Sequence, residues 1–302
     1  MNKTINKPSI TKKQVWSLIL EIKSIFSNLK SHQKTLSVSK KINNDNLRLT
    51  YSFDKQKIIN KNFKVNNINE ELFNIFLPII LNKSKEPYII GHLAQTLDGY
   101  IATQAGESKY ISCRENIEHI HRLRAISDII IVGSKTVLLD NPKLTTRMVE
   151  GSNPLRMVLN SKNNLNNNLN IFAHKDRNGF KVINKNEQTK MNNVFSLPAY
   201  KKGFKISDII KLIKKLNKRI VFIEGGGSTI SSFYSNQYLN KLHLCISPII
   251  IGNGRSSFIL EKKSSIKDFK DYKISYYKMG SDILCDIDLS GFSTKKKNQT
   301  RQ

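Results

Sequence analysis

The alternation of apolar and polar positions changes character near residue 87. Upstream, Val15, Trp16, Leu18, Ile19, Ile22, Ile25 and Phe26 recur at helical spacing, and Leu47, Leu49, Tyr51 and Phe53 mark one face of a strand. The apolar run 72–81 follows, broken by Pro78. Downstream, strand-like and helix-like runs alternate. A strand over 88–95 reaches Asp98-Gly99 and resumes at 100–102, the pattern of a β-hairpin, because glycine accepts the positive φ of a primed turn. Ile117, Ile120, Leu123 and Ile126 predict a helix over 114–127, and the all-apolar 129–132 predicts a strand covered on both faces. Segment 134–147 predicts a helical turn, a tight Asp-Asn-Pro loop and an extended end. Further strands are expected at 156–159, 171–174, 193–197, 219–223, 242–251 and 283–289, with helices at 206–217, capped by Ser207, and 229–236. Alternating elements with apolar strands make the chain an α/β protein of three layers, helices on both faces of the sheet. An extension (1–86) precedes the sheet domain (87–290), and a basic tail (291–302) is expected to be disordered.

Composition narrows the function classes. An apolar fraction of 39% suffices for a core, and no window approaches the ~18 uninterrupted apolar residues of a membrane helix. The opening MNKTINKPSITKKQVW has no apolar h-region, which makes the cytoplasm the default. Cys113, Cys245 and Cys285 form no CxxC pair, against a disulfide framework and a zinc ribbon. The net charge of +27 comes mainly from lysines, in a chain also crowded with asparagine and isoleucine. All three are encoded by A/T-rich codons. The lysines are dispersed and no aromatic-interleaved basic stripe appears, which argues against a nucleic-acid ligand.

Candidate chemistry is concentrated at strand ends. Glu224 is followed by Gly225, Gly226, Gly227, Ser228 and Thr229 and then a helix, a turn where backbone can approach a phosphate near a helix N-terminus. It is neither a Walker loop nor GxGxxG. Arg124 and Arg147 stand out because arginine is scarce here and its fork matches phosphate or carboxylate. Asp98 and Glu224 are carboxylates where open sheets place ligands. His119 and His121, two apart on a helix, make a poor metal pair and read as one exposed and one packed histidine.

LAQTLDGYIAT, GESKYIS, HRLRAISDIIIVGSKTVLLDNPKLTTR, NPLRMVLNS and VFIEGGGSTI together resemble the pyrimidine reductases of riboflavin biosynthesis, the RibD C-terminal, dihydrofolate-reductase-like proteins. The similarity covers about 88–254, without the zinc deaminase of bifunctional members: 1–86 has neither His-x-Glu nor PCxxC. The resemblance implies a mixed, mostly parallel sheet, a homodimer, NADPH, and reduction of the ribosyl group of a 5-amino-6-(5-phosphoribosylamino)pyrimidine to a ribityl chain by hydride transfer to the sugar C1. It implies substrate contacts at Ser108, Arg124, Leu144, Arg147 and Glu224, the two arginines holding the 5′-phosphate. It implies cofactor contacts at Ala94, Tyr110, Thr136, Asp140, Ser161, Gly226, Gly227 and Ser228. Glu224, Asp98 and His92 are the candidate catalytic side chains; His92 stands where many members carry lysine and is the substitute proton donor. Tyr110 replaces the family's tryptophan, and Asp140-Asn141 its paired aspartates. Two alternatives stay open: a same-fold reductase of another pterin- or pyrimidine-like substrate, and a non-catalytic basic binding protein.

Overall fold

The computed structural model describes residues 7–29, 32–109, 111–187, 193–201, 203–260 and 271–292, and divides into two units, Met1–Lys85 and Glu86–Gln302. Tyr110 and residues 293–302 of the basic tail lie outside the described residues.

The first unit opens with helix α1 (Lys12–Phe26), started by a capping box in which Thr11 Oγ1 accepts from the Gln14 N–H and Gln14 Oε1 accepts from the Thr11 N–H. Strands β1 (Thr35–Ile42), β2 (Asp45–Ser52) and β3 (Lys57–Lys61) form an antiparallel sheet in that order, and helix α2 (Asn67–Ile80) follows. Trp16 of α1 meets Phe76 of α2 edge-on at 5.3 Å. Pro78 does not break the apolar run but lies inside α2. It is exposed, as is Asn74, so the carbonyl deprived of its partner sits on the solvent side, where water can satisfy it.

The second unit runs β4 (Tyr88–Thr96), β5 (Tyr100–Thr103), α3 (Arg114–Ile126), β6 (Ile129–Gly133), α4 (Ser134–Asp140), β7 (Leu155–Leu159), α5 (Asn170–Ala173) and β8 (Gly179–Asn184). It continues through β9 (Val194–Leu197), β10 (Ala199–Tyr200), β11 (Gly203–Phe204), α6 (Ile206–Lys215), β12 (Ile220–Glu224) and α7 (Gly227–Ser235). It closes with β13 (Lys241–Ser247), β14 (Gly254–Ser256), β15 (Lys273–Met279) and β16 (Asp282–Asp288). The nine-stranded sheet is ordered β15-β16-β13-β4-β12-β6-β7-β8-β9, parallel from β13 to β9 and antiparallel at β16 and β15. Ile89, Leu93, Val221, Ile223 and Leu242 pack with Ile209 and Ile213 of α6 and Phe233 of α7 on one face, while α3 covers the other. This is the expected mixed α/β fold. No helix among the described residues is long and apolar enough to cross a membrane.

Several local expectations are corrected. The Asp98-Gly99 turn does not join a hairpin: β4 is paired on both sides, by β12 and β13, so β5 pairs with β14 instead. The apolar 171–174 is one helical turn, α5, and β8 behind it was not foreseen. A Cβ at Gly179, where β8 begins, would fall 2.0 Å from the Ile171 carbonyl oxygen, so only glycine allows that approach. Ser207 does not cap α6; Lys205 is the cap residue, without a side-chain bond. β13 stops at Ser247 because Pro248 has no N–H for the ladder. β15, an edge strand, was also unforeseen.

Strand β12 carries Glu224, and its start is fixed by Asp128, whose Oδ2 accepts from the Arg219 and Ile220 N–H groups at 2.8 and 2.9 Å. Asp128→Ala is expected to lower stability by about 1–3 kcal/mol in urea unfolding, with a native far-UV spectrum. An unchanged midpoint would show the anchor to be dispensable.

Candidate active site

Sheet register sets the site. Glu224 on β12 pairs across to His92 on β4, His92 to His243 on β13, and His243 to Asp286 on β16. Four polar side chains thus lie in one row on a single face of the sheet. Helix α3 roofs that row and supplies partners at helical spacing: Asn116, His119 and Arg124.

Arg124 grips Glu224 with both arms of its fork, Nε donating to Oε2 at 2.8 Å and Nη2 to Oε1, while Nη1 donates to the Thr145 carbonyl at 3.0 Å. His92 Nε2 lies 2.9 Å from Asn116 Oδ1, and the Asn116 amide nitrogen donates to Ser112 Oγ at 3.1 Å. The amide oxygen therefore takes the Nε2–H, leaving His92 Nδ1 as the acceptor. His119 Nε2 lies 3.0 Å from His243 Nδ1, and Asp286, ion-paired with Lys241, closes the row 3.5 Å from His243 Nε2.

Burial governs the protonation states. It pushes His92 down to about 4, with the His243 charge acting the same way and Asn116 opposing. His121 falls to about 4 through burial and the Arg124 and Arg147 charges. Burial also raises Asp286, but His243 and Lys241 outweigh it and hold the carboxyl below its usual range. His92 is thus neutral near pH 7.

A cavity of about 610 Å³ opens at the carboxyl ends of β4, β6 and β12. His92, Ala94, Ser108, Arg124, Thr136, Asp140, Leu144, Glu224, Gly226, Gly227 and Ser228 all line it, so most of the side chains singled out from sequence meet in one place. Three do not. Asp98 fastens its own turn, accepting from the Thr96 hydroxyl and from the Ile251 and Gly252 N–H groups at 3.1 and 2.7 Å. Arg147 is exposed off the cavity lining, and its backbone N–H donates to His121 Nδ1 at 3.1 Å. Ser161 follows β7, away from the lining. His119 and His121, expected as one exposed and one packed, are both buried.

Two features hold the walls. Gly225 and Gly226 have φ of 76° and 68°, and a Cβ on Gly227 would fall 2.4 Å from the Ser257 carbonyl oxygen, so this turn needs glycine to start α7 at the cavity. Opposite, Leu144 is buried with φ 51°, a costly conformation for leucine. The bonds around it impose that geometry: Arg124 to Thr145, Thr146 N–H to Asn153 Oδ1 at 2.8 Å, and Arg147 to His121. Ser112, Asn116, Lys135 and Arg255 were not singled out from sequence. The scarcity of arginine that marked Arg124 would have marked Arg255 too; Asn116 carries no motif signal and becomes visible only through the fold.

Neutral burial of His92 links stability to pH. Its folded value lies below the ordinary ~6.5, so the unfolded chain binds the extra proton and stability is full above about pH 6.5, falling as pH drops towards 4. The loss assigned to His92 is roughly 3 kcal/mol, with His121 acting in the same direction. Urea midpoints recorded from about pH 7 to about pH 4 should decline through that window; a flat profile would show that these histidines are not buried neutral.

Residues 87–284 match the model of the RibD C-terminal domain. The riboflavin biosynthesis protein RibD of Aquifex aeolicus is 29% identical over 221 residues, 72% of this chain and 60% of that protein, so the chain spans less than two thirds of that relative. The 2,5-diamino-6-ribosylamino-4(3H)-pyrimidinone 5′-phosphate reductase of Methanothermobacter thermautotrophicus is 30% identical over 229 residues, 68% of this chain and 99% of that enzyme. Among solved structures, the Saccharomyces cerevisiae riboflavin biosynthesis reductase shares the fold with a TM-score of 0.58 at 21% identity, over 72% of this chain and 97% of that one. With the family model spanning most of the second unit, the chain belongs to the RibD C-terminal domain family.

Proposed function

We propose that this chain is an NADPH-dependent reductase that converts the ribosyl group of a 5-amino-6-(5-phosphoribosylamino)pyrimidine into a ribitylamino chain, in riboflavin biosynthesis. The observation that carries it is the Arg124–Glu224 pair at a cavity also lined by the adjoining glycine turn and the start of α7. Named relatives in the family act on such a pyrimidine.

The residues present fit a pyridine nucleotide. Gly226 comes so close to Thr136 that an added Cβ would lie 3.1 Å from its hydroxyl, which leaves a backbone-lined cleft at the start of α7. There Gly226, Gly227 and Ser228 would meet the diphosphate, with Thr136 and Ala94 beside it. When bound, NADPH supplies the hydride for the sugar C1. Glu224, fixed by Arg124, presents carboxylate oxygens to substrate amino or hydroxyl groups. Neutral His92 accepts a hydrogen bond through Nδ1, so the proton that balances hydride addition comes from elsewhere, water or the substrate's own groups. Ser108 and the strained Leu144 flank the same space and limit how the sugar can lie.

Anaerobic incubation with NADPH and the phosphoribosylaminopyrimidine should consume nicotinamide absorbance, and Glu224→Gln should reduce kcat/KM at least tenfold while leaving the fold intact. Clean NADPH binding without turnover would exclude this substrate. The same proposal includes the dimer implied by the resemblance, with the cytoplasm as its site of action. Light scattering should give about twice the chain mass, and a monomer at working concentration would remove the dimer.

A further inference from the structure

Two cations at the cavity are left over once its internal ion pairing is complete. The basic side chains lining it are Arg124, Lys135 and Arg255. Arg124 is neutralised by Glu224. Arg147, the second expected phosphate holder, is off the lining. Lys135 and Arg255 form no ion pair with a carboxylate among the described residues.

Arg255 is the better placed. It lies on β14, opposite Ala102 of β5 and half-buried. Its Nη2 touches only backbone carbonyls, those of Gln104 and Ala105, at 3.5 Å each. Gly106 gives the guanidinium room: a Cβ there would fall 2.7 Å from Nη2. The same strand is docked on the glycine turn, since Gly227 packs on the Ser256 and Ser257 carbonyls. The Arg255 charge is also felt across the cavity at Asp140, where it lowers a carboxyl that burial raises. Arg255 is therefore held beside the start of α7, with no hydrogen bond at Nη1 or Nε among the described residues. Lys135 stands in the first turn of α4, on the side where Thr136 meets Gly226.

We propose that Arg255, assisted by Lys135, binds a phosphomonoester dianion carried by a ligand of this cavity. This rests on the reductase reading, whose two ligands each carry one such group: the cofactor its 2′-phosphate, the substrate its 5′-phosphate. A fork with free donors plus a nearby ammonium suits a dianion better than a neutral hydroxyl.

Titration calorimetry on the full chain, with 2′,5′-ADP against 5′-AMP and ribose 5-phosphate against ribose, reads this without turnover. Arg255→Gln should weaken 2′,5′-ADP or ribose 5-phosphate by roughly tenfold to a hundredfold, leaving 5′-AMP or ribose, which lack the phosphate in question, unchanged. Arg255→Lys should retain part of the affinity, and an unaltered melting temperature certifies the fold. Loss confined to 2′,5′-ADP assigns the cofactor phosphate; loss confined to ribose 5-phosphate assigns the substrate phosphate. Equal weakening of both members of a pair, or no change in either pair, overturns the inference while wild-type turnover leaves the reductase reading standing. A wild type that binds neither phosphomonoester overturns the inference, and turnover alone decides the reductase reading.

Discussion

One guanidinium ties the cavity together. Arg124 leaves helix α3, crosses to the sheet to hold Glu224 at the end of β12, and sends its remaining arm to the Thr145 carbonyl, fixing the loop that carries Leu144. Helix, sheet and loop meet at one side chain. Such a pair adds little to stability over an apolar replacement, but removing one partner strands a buried charge, at a cost of order 3–5 kcal/mol. The arrangement trades stability for position: a carboxylate held in one defined orientation at the cavity wall.

The polar row behind the pair follows the same logic. His92 and His243 would be expensive in an apolar core as cations, and burial keeps both towards the neutral side. Asp286 and Lys241 end the row as a mutual ion pair. Their alignment follows from strand register, since each residue of the row sits opposite the next on the neighbouring strand. The whole polar layer is thus indexed to the parallel pairing of β4 with its two neighbours, and a one-residue slip would turn it into the opposite, apolar face.

Much of this was legible in the residues. The apolar runs at 88–95, 129–132 and 219–223 gave the central strands because strands buried on both faces have no room for alternation. Scarce arginine and the triple glycine pointed to the cavity because both residue types serve geometry that lysine or alanine cannot reproduce. What was hidden depends on distant pairing. The Asp98-Gly99 turn has hairpin chemistry, yet β4 has both edges occupied, a fact no local window contains. Arg147 and Arg255 look alike in sequence, and only β14 pairing with β5 puts one at the cavity while the loop after Leu144 turns the other outward. His92 is a histidine in any window; its neutrality comes from α3 folding over it.

The most direct test follows the transferred hydrogen. With NADPH deuterated at the transferable position of its nicotinamide C4, the account predicts a ribitylamino product carrying one deuterium, located at C1 of the ribityl chain. An unlabelled product, or deuterium in the pyrimidine ring, would contradict it.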